Sequence, residues 1–268
     1  MPASDLLQSP AQPAGGRPAA FGQFPTALRF AVRNQTRNRF ATLLLIMFVP
    51  VWYLLIMAGH RPLTFRLFAT GQILAVDGGH LTLISAGLNA VTMIVGFAVF
   101  DAIRKSMTFD RRLVFAGYRQ TTLIATKVLA IAVVATAVAG YTAAVLLAYW
   151  RPGPAGWSAI FAGFGVIALT YGSFGLLLGV LVKNDLEGFF LIIMIGLTDT
   201  FLQNPLGNPL ANKPILQWFP SFAPMQFAVG GSLGHTALWR HLGLGLVWAA
   251  SFTIAGLAGF CLRTRRHT

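Results

Sequence analysis

Apolar residues occur in long runs of about 20 along most of this chain, and short polar segments separate the runs. A helix of that length crosses the roughly 30 Å hydrocarbon layer of a membrane. The pattern predicts an all-α integral membrane protein with six transmembrane helices, at residues 41–59, 81–101, 127–150, 158–182, 188–202 and 242–262. The fifth run is the shortest and contains Asp199, so a broken or re-entrant segment is an alternative there.

Two segments precede the first predicted span. Residues 1–22 are rich in Pro, Gly and Ala, which predicts a disordered cytoplasmic tail. Residues 23–40 place apolar side chains at helical spacing, and Arg29, Arg33 and Arg37 recur every four residues on another face. We therefore expect an amphipathic helix in the cytoplasmic headgroup layer. A simple basic cluster that orients the first span is the alternative.

The segment "PILQWFPSFAPMQFAVGGSLGH", residues 214–235, comes just before the last span. It is too apolar for a solvated loop, and its prolines interrupt any single helix. We expect short re-entrant helices that dip into the outer leaflet.

Composition and charge support a membrane protein. Hydrophobic residues make up 56% of the chain and charged residues only 10%, against roughly 25% charged residues in soluble domains. The net charge of +13 raises the alternative of nucleic-acid binding. The six-span topology explains it better, because 15 of the 20 Lys and Arg residues then lie on the cytoplasmic side. We expect a multi-pass plasma-membrane protein with both termini in the cytoplasm and no nucleic-acid partner.

Sequence motifs for catalysis are missing. The chain has no Gly-x-x-x-x-Gly-Lys-Ser/Thr phosphate loop, no His-Glu-x-x-His zinc motif and no Gly-x-Ser-x-Gly nucleophile elbow. Its one cysteine and five scattered histidines have no metal-ligand spacing. We therefore expect no metal site and no enzymatic activity in this chain, so that any use of ATP requires a partner.

Polar residues in the predicted spans are candidates for a substrate path. Ionisable groups inside a membrane are costly and often functional. Asp199 either lines such a path or pairs locally, and an ion-gradient-driven carrier or channel that uses Asp199 is the alternative function. The scarcity of membrane carboxylates and of visible inverted repeats speaks against that alternative. The candidate path residues are Asn89, Asp199, Phe201 and Gln203.

Small residues recur at helical spacing in the fourth predicted span. Gly175 and Gly179 form a Gly-x-x-x-Gly pair, and Gly172 lies one turn earlier. Such glycines let two helix backbones approach closely, either within one bundle or across a dimer. Both alternatives stay open at this point.

Basic residues concentrate between the second and third predicted spans, where Asp110 is the only acid. Apolar and aromatic side chains alternate with these charges. The pattern predicts a turn at Gly117 and a new helix capped by Thr121. An element of this kind, held rigidly between two spans, can transmit the movement of a soluble motor into the membrane.

From about Phe24 to the basic C-terminus, the chain resembles the permease subunits of type-2 ATP-binding-cassette (ABC) exporters. The resemblance rests on the six-span plan, on "RRLVFAGYRQTTLIATKVLA" and on the region from "FLQNPLGNPL" to "LQWFPSFAPMQFAVGG". Ala116, Gly117 and Lys127 match the turn that opens a helix in similar permeases. Phe219 and Pro220, followed by Pro224, match their outer Phe-Pro element.

The resemblance implies a half-transporter without a cofactor of its own. A second permease copy, identical or related, and two separate ATPase subunits carrying ATP and Mg²⁺ would complete it. The region 104–121 would couple the ATPase to the membrane, with a docking contact that differs from the glutamate-rich turn common in similar permeases. The implied coupling residues are Asp110, Arg111, Arg112, Phe115, Gly117, Tyr118 and Arg119. Drugs, peptides, lipids and glycans all remain open as cargo, and the aromatic outer segment favours an apolar one.

Overall fold

The computed structural model describes residues 43–56, 62–68, 70–115, 120–208, 210–234, 236 and 239–265. The predicted tail at 1–22 and the predicted amphipathic helix at 23–40 lie outside these ranges. The described part is mostly helical.

The α-helices, in chain order, are α1 (Val49–Ile56), α2 (Gly78–Phe115), α3 (Gln120–Tyr149), α4 (Pro154–Leu181), α5 (Asp185–Leu202), α6 (Phe222–Ser232) and α7 (Trp239–Arg265). A π-helical stretch, Leu44–Phe48, leads into α1, and a 3₁₀ helix, Pro214–Trp218, precedes α6. Two strands, β1 (Pro62–Arg66) and β2 (Ile73–Asp77), lie between α1 and α2.

Among the described residues, four helices are long and apolar enough to cross a membrane, namely α2, α3, α4 and α7. They contain the runs predicted at 81–101, 127–150, 158–182 and 242–262, except that α3 ends one residue before 150 and α4 ends one residue before 182. These helices indicate a membrane-embedded protein. The first and fifth spans correspond to α1 and α5, which are shorter. A total of six spans and the re-entrant position of the 3₁₀ helix and α6 remain predictions.

A β-hairpin between α1 and α2 departs from the all-α expectation. Strand β1 pairs antiparallel with β2, with Pro62 opposite Asp77 and Arg66 opposite Ile73. Both strands alternate exposed and buried positions, and Phe65 and Val76 are buried. Alternation over five residues is typical of a short half-buried strand. Sequence analysis missed it because the hairpin lies in a brief segment between two long apolar runs.

Helices α2 and α4 form the centre of the bundle, and α3 and α7 pack outside them with most of their surface exposed. The two central helices approach closely at Gly175, where a Cβ atom would overlap the carbonyl oxygen of Gly96. Lipid tails are as apolar as leucine, so packing in a membrane depends on such close van der Waals contact. The short helix α6 is buried along its whole length and packs against α4 and α7.

The helices run up and down between two ends. The hairpin end comprises β1, β2 and residues 199–222, and α2 starts there directly after β2. The basic end comprises residues 101–115, 120–127, 181–187 and 260–265. Since α2 has 38 residues, it extends about 57 Å, well beyond the roughly 30 Å hydrocarbon thickness.

Candidate functional site

Helix α2 continues without a break through residues 104–115, which we call the α2 extension. The sequence predicted that the second span ends at residue 101, but no Gly or Pro interrupts residues 104–115, and nothing local ends the helix. Helix α3 begins at Gln120, so Thr121 lies inside its first turn rather than at the predicted cap. The predicted turn, with Gly117, Tyr118 and Arg119, lies outside the described residues.

Asp110 points into the protein rather than toward a partner. Its side chain is 7% exposed, and its Oδ2 atom lies 2.6 Å from the Nζ atom of Lys127 on α3. The same Nζ donates a hydrogen bond to the Ser106 hydroxyl at 2.8 Å and lies 5.4 Å from the centroid of the Phe260 ring on α7. The buried Lys127 ammonium holds the Asp110 carboxylate inside the protein, and a part for Asp110 in coupling to an ATPase stays a prediction.

The outward face of the α2 extension combines an apolar and a basic side chain. Phe109 is 62% exposed, and Arg112 is exposed one turn further along. Arg111 and Phe115 lie on the same helix, but their side chains are outside the described set. An exposed aromatic residue beside arginine is a common composition for a protein-binding surface.

Arg104 ties the α2 extension to the connection between α4 and α5. Its guanidinium donates to the carbonyl oxygens of Val182 at 2.8 Å and Lys183 at 2.6 Å, and to the Asp185 carboxylate at 2.7 Å. The two carbonyls follow the last turn of α4, where a helix lacks intrahelical donors. Arg104 therefore caps α4 and fixes the start of α5 against α2. Asp101 pairs with Lys105 at 2.7 Å one turn along the same helix.

Asp199 lies at the hairpin end and is 2% exposed. Its Oδ2 accepts hydrogen bonds from the Tyr171 hydroxyl at 2.6 Å and from the Ser221 amide at 2.9 Å. Its Oδ1 accepts from the Ser221 hydroxyl at 2.6 Å. The carboxylate thereby joins α4, α5 and the start of α6, which is the local pairing that sequence analysis kept as one of two alternatives.

The other candidate path residues divide into buried and exposed ones. Asn89 on α2 is buried and donates to the Thr200 hydroxyl at 2.7 Å, while its own Oδ1 has no hydrogen-bond partner in the described part of the chain. Gln203 is buried and reaches the Leu216 carbonyl at 3.4 Å. Phe201 is 54% exposed on the outside of α5. The structure therefore places Asn89 beside α5 near Asp199 but turns Phe201 away from both.

Two side-chain amides cover the outer edge of β1. Asn212 accepts from the Arg66 amide at 2.9 Å and donates to the Thr64 carbonyl at 3.2 Å. Gln226 on α6 donates to the Arg66 carbonyl at 2.9 Å and accepts from the Phe68 amide at 3.2 Å. Unpaired strand edges are otherwise open to foreign strands. The hairpin is thus attached to both the 204–221 segment and α6.

The glycines of the predicted packing motif lie against neighbouring helices of the same chain. A Cβ atom on Gly172 would come within 2.9 Å of Ile131 on α3, and one on Gly179 within 2.9 Å of Ile103 on α2. Gly175 meets the α2 backbone, as described above. All three positions therefore serve packing within the bundle.

Sequence reasoning missed several residues that the structure brings to these sites. Tyr171 and Ser221 were not linked to Asp199, and Asn212 and Gln226 were not linked to the hairpin. Each is a polar side chain in an apolar neighbourhood, which is the signal that marks a paired group. Among the residues that the structure describes, no three His, Cys, Asp or Glu side chains are close enough to hold a metal ion.

The chain was compared with known families and with characterised proteins. No protein-family model and no curated protein sequence matches it.

Proposed function

We propose that this chain is the membrane permease subunit of an ABC exporter. Two permease copies form the substrate path, and separately encoded ATPase subunits drive it through the region 104–121. The single observation that carries this proposal is the α2 extension, a rigid basic helix that continues a long apolar helix far beyond the thickness of a membrane.

The α2 extension has a surface for a partner. Phe109 and Arg112 are exposed on it, whereas neighbouring polar groups are engaged inside the protein. A solvent-exposed phenylalanine gains free energy when a partner covers it. The adjacent arginine supplies a directed contact to a carboxylate or backbone carbonyl.

The α2 extension is also connected to the bundle on two sides. Arg104 binds it to the start of α5, and the Asp110–Lys127 pair binds it to α3. A partner that moves this helix therefore moves several apolar helices at once, which is how rigid-body switching transmits a local displacement. A plain topological charge cluster would need none of these connections.

Co-purification tests the proposal directly. The tagged chain is expressed in its native host, extracted in mild detergent and analysed by mass spectrometry, and the eluate is assayed for ATP hydrolysis. We expect a nucleotide-binding subunit to co-purify and to be lost when Arg111→Glu and Arg112→Glu are combined. The matched control reverses Arg151 and Arg240, which are exposed near the opposite end of the bundle. This control should retain the ATPase.

A single-chain product without ATP hydrolysis would overturn the proposal. Transport driven by a proton or sodium gradient and abolished by Asp199→Asn would then favour the carrier. The hydrogen bonds that occupy both oxygens of Asp199 give the carboxylate a structural role without transport. Under the exporter proposal, loss of the gradient leaves transport unchanged as long as ATP is supplied.

A further inference from the structure

The buried cluster at the basic end has a role that docking alone does not explain. Asp110 and Lys127 face each other inside the protein, and their side chains are 7% and 11% exposed. Removing two charges from water costs several kcal/mol per ion unless each charge finds good partners. An ion pair in this position therefore adds less to the stability than its charges suggest, since an apolar pair of similar volume would pack as well.

The partners of Lys127 come from three helices. Asp110 and Ser106 belong to the α2 extension, Lys127 belongs to α3, and Phe260 belongs to α7. The Lys127 ammonium has three donor hydrogens. It is surrounded by the Asp110 carboxylate, the Ser106 hydroxyl and the face of the Phe260 ring. The Ser106 hydroxyl can accept this bond because its own hydrogen is directed to the Ile103 carbonyl at 3.2 Å. The contact between Lys127 and Asp110 is an ion pair at 2.6 Å, and the Asp110 Oδ2 atom has no hydrogen bond among the described residues.

The cluster lies beside the surface where a partner would bind. Asp110 immediately follows the exposed Phe109, and Arg112 lies two residues beyond it. The α2 extension thus presents one face outward, and its opposite face contacts Lys127 of α3, which in turn lies over Phe260 of α7. The Lys127 contacts therefore lie directly behind the outward face, between the α2 extension and α3.

We infer that Lys127 is a positioning residue that locks the α2 extension, α3 and α7 into one body, so that an ATPase docked on Phe109 and Arg112 moves all three helices together. The inference rests on the proposed function for its motor. The lock itself is a property of this chain alone. In this inference the buried Asp110–Lys127 pair transmits the movement, and the exposed Phe109 and Arg112 bind the ATPase.

The lock is tested first without any partner. Hydrogen exchange at residues 106–115 and 120–127 is measured on the full chain in lipid nanodiscs by mass spectrometry. We expect Lys127→Met and Asp110→Asn each to speed exchange by about tenfold or more, because each leaves an unpaired buried group. The double variant should exchange more slowly than the product of the single effects predicts, since both partners are then absent.

A matched control uses another ion pair of α2. Lys105 pairs with Asp101 within α2, and its side chain is 64% exposed. Lys105→Met makes the same substitution at an exposed lysine of α2 and should leave exchange unchanged. Lys127→Arg keeps the charge and should preserve most of the protection. Unchanged exchange in Lys127→Met, or single effects that simply multiply in the double variant, would overturn the lock.

Transmission is then tested in the complex with the ATPase. A cysteine replaces the exposed Trp218 at the hairpin end in a Cys261→Ser background, and its labelling by a membrane-impermeant maleimide is compared with and without ATP and vanadate. We expect nucleotide trapping to change the labelling rate in the otherwise unmodified chain. In Lys127→Met the ATPase should still co-purify, but this change should disappear.

The outcomes separate the two proposals. If Lys127→Met retains the ATPase and the full labelling change, the positioning role is wrong. If no ATPase co-purifies with the unmodified chain, the proposed function is wrong, and so is the role of Lys127 in coupling. The exchange experiment still decides in that case whether the lock exists.

Discussion

The two ends of the bundle hold their buried polar groups in different ways. At the basic end, opposite charges meet across helices, as in Asp110–Lys127 and Arg104–Asp185. At the hairpin end, Asp199 and the amides of Asn212 and Gln226 bond to hydroxyl and backbone groups. Salt screens an exposed pair such as Arg104–Asp185, whereas hydrogen bonds to backbone groups depend on one fixed geometry.

This difference suits different tasks. A basic surface beside a rigid helix can receive a soluble partner, because charged groups steer association. The hairpin and the short buried helix α6 are held instead by hydrogen bonds to backbone and hydroxyl groups. We therefore expect substitutions at the hairpin end to affect stability, and substitutions on the exposed face of the basic end to affect binding.

The largest effect is expected from removing the carboxylate at the hairpin end. Asp199→Ala leaves Tyr171 and Ser221 without their acceptor, and should lower the stability by about 3 kcal/mol or more, because each unsatisfied buried group costs about 1–3 kcal/mol. Thermal unfolding in detergent, followed by fluorescence, measures the loss.

Asp199→Asn keeps the shape and one acceptor, so it should lose less stability than the alanine variant. Thr198→Ala changes the exposed neighbour and serves as the control. Equal melting temperatures for Asp199→Ala and Thr198→Ala would show that the hairpin end does not depend on this carboxylate.

The second-largest effect is expected midway between the two ends, where α2 and α4 are in contact. Gly175→Ala introduces a Cβ atom that overlaps the Gly96 carbonyl oxygen, and overpacking of this kind costs about 1–3 kcal/mol. Gly165→Ala is the matched control on the same helix, since its Cβ meets nothing within 4 Å. Size-exclusion chromatography after a heating series should separate the two variants. A Gly175→Ala protein as heat-resistant as Gly165→Ala would contradict the close approach.

A smaller effect is expected from the amide that attaches the hairpin to α6. Gln226→Ala removes one hydrogen bond to Arg66 at the end of β1 and one to Phe68 just after it, and should cost about 1 kcal/mol, as polar contacts in membrane proteins usually do. Limited proteolysis should cut the hairpin, residues 62–77, faster than in the unmodified protein. Gln217→Ala removes an exposed amide from the 3₁₀ helix and should not change the cleavage rate. Faster cleavage in both variants would mean that Gln226 has no special role.

The smallest effect is the stability loss on removal of an exposed ion pair. Its dependence on salt distinguishes the basic end from the hairpin end. Asp185 is 79% exposed in its pair with Arg104, so Asp185→Asn should cost about 0.5 kcal/mol or less. Raising the ionic strength from about 0.1 M to 1 M should remove this difference, because the Debye length falls from about 10 Å to 3 Å. The loss caused by Gln226→Ala should persist at both salt concentrations. Thermal unfolding at the two ionic strengths measures both, and a salt-sensitive Gln226→Ala effect would break the comparison.

Much of the helical framework could be predicted from the sequence. The runs at 81–101 and 158–182 indicate helices because only an apolar segment of that length fits a membrane, and the structure has helices there. The glycines at 172, 175 and 179 marked a packing surface for the same kind of reason, since small residues in a long apolar helix serve close approach. The hairpin was not predicted, because a five-residue strand carries too few alternations to stand out.

The amino-acid sequence by itself determined where apolar helices run and where basic charge accumulates, because both follow from the chemistry of neighbouring residues. Only the tertiary structure decided which polar groups meet. Asp110 on α2 pairs with Lys127 on α3, and Asp199 on α5 bonds to Ser221, which follows the 3₁₀ helix. The physical reason is that a hydrogen bond or ion pair needs its partners within about 3 Å, and packing sets that distance for residues far apart along the chain.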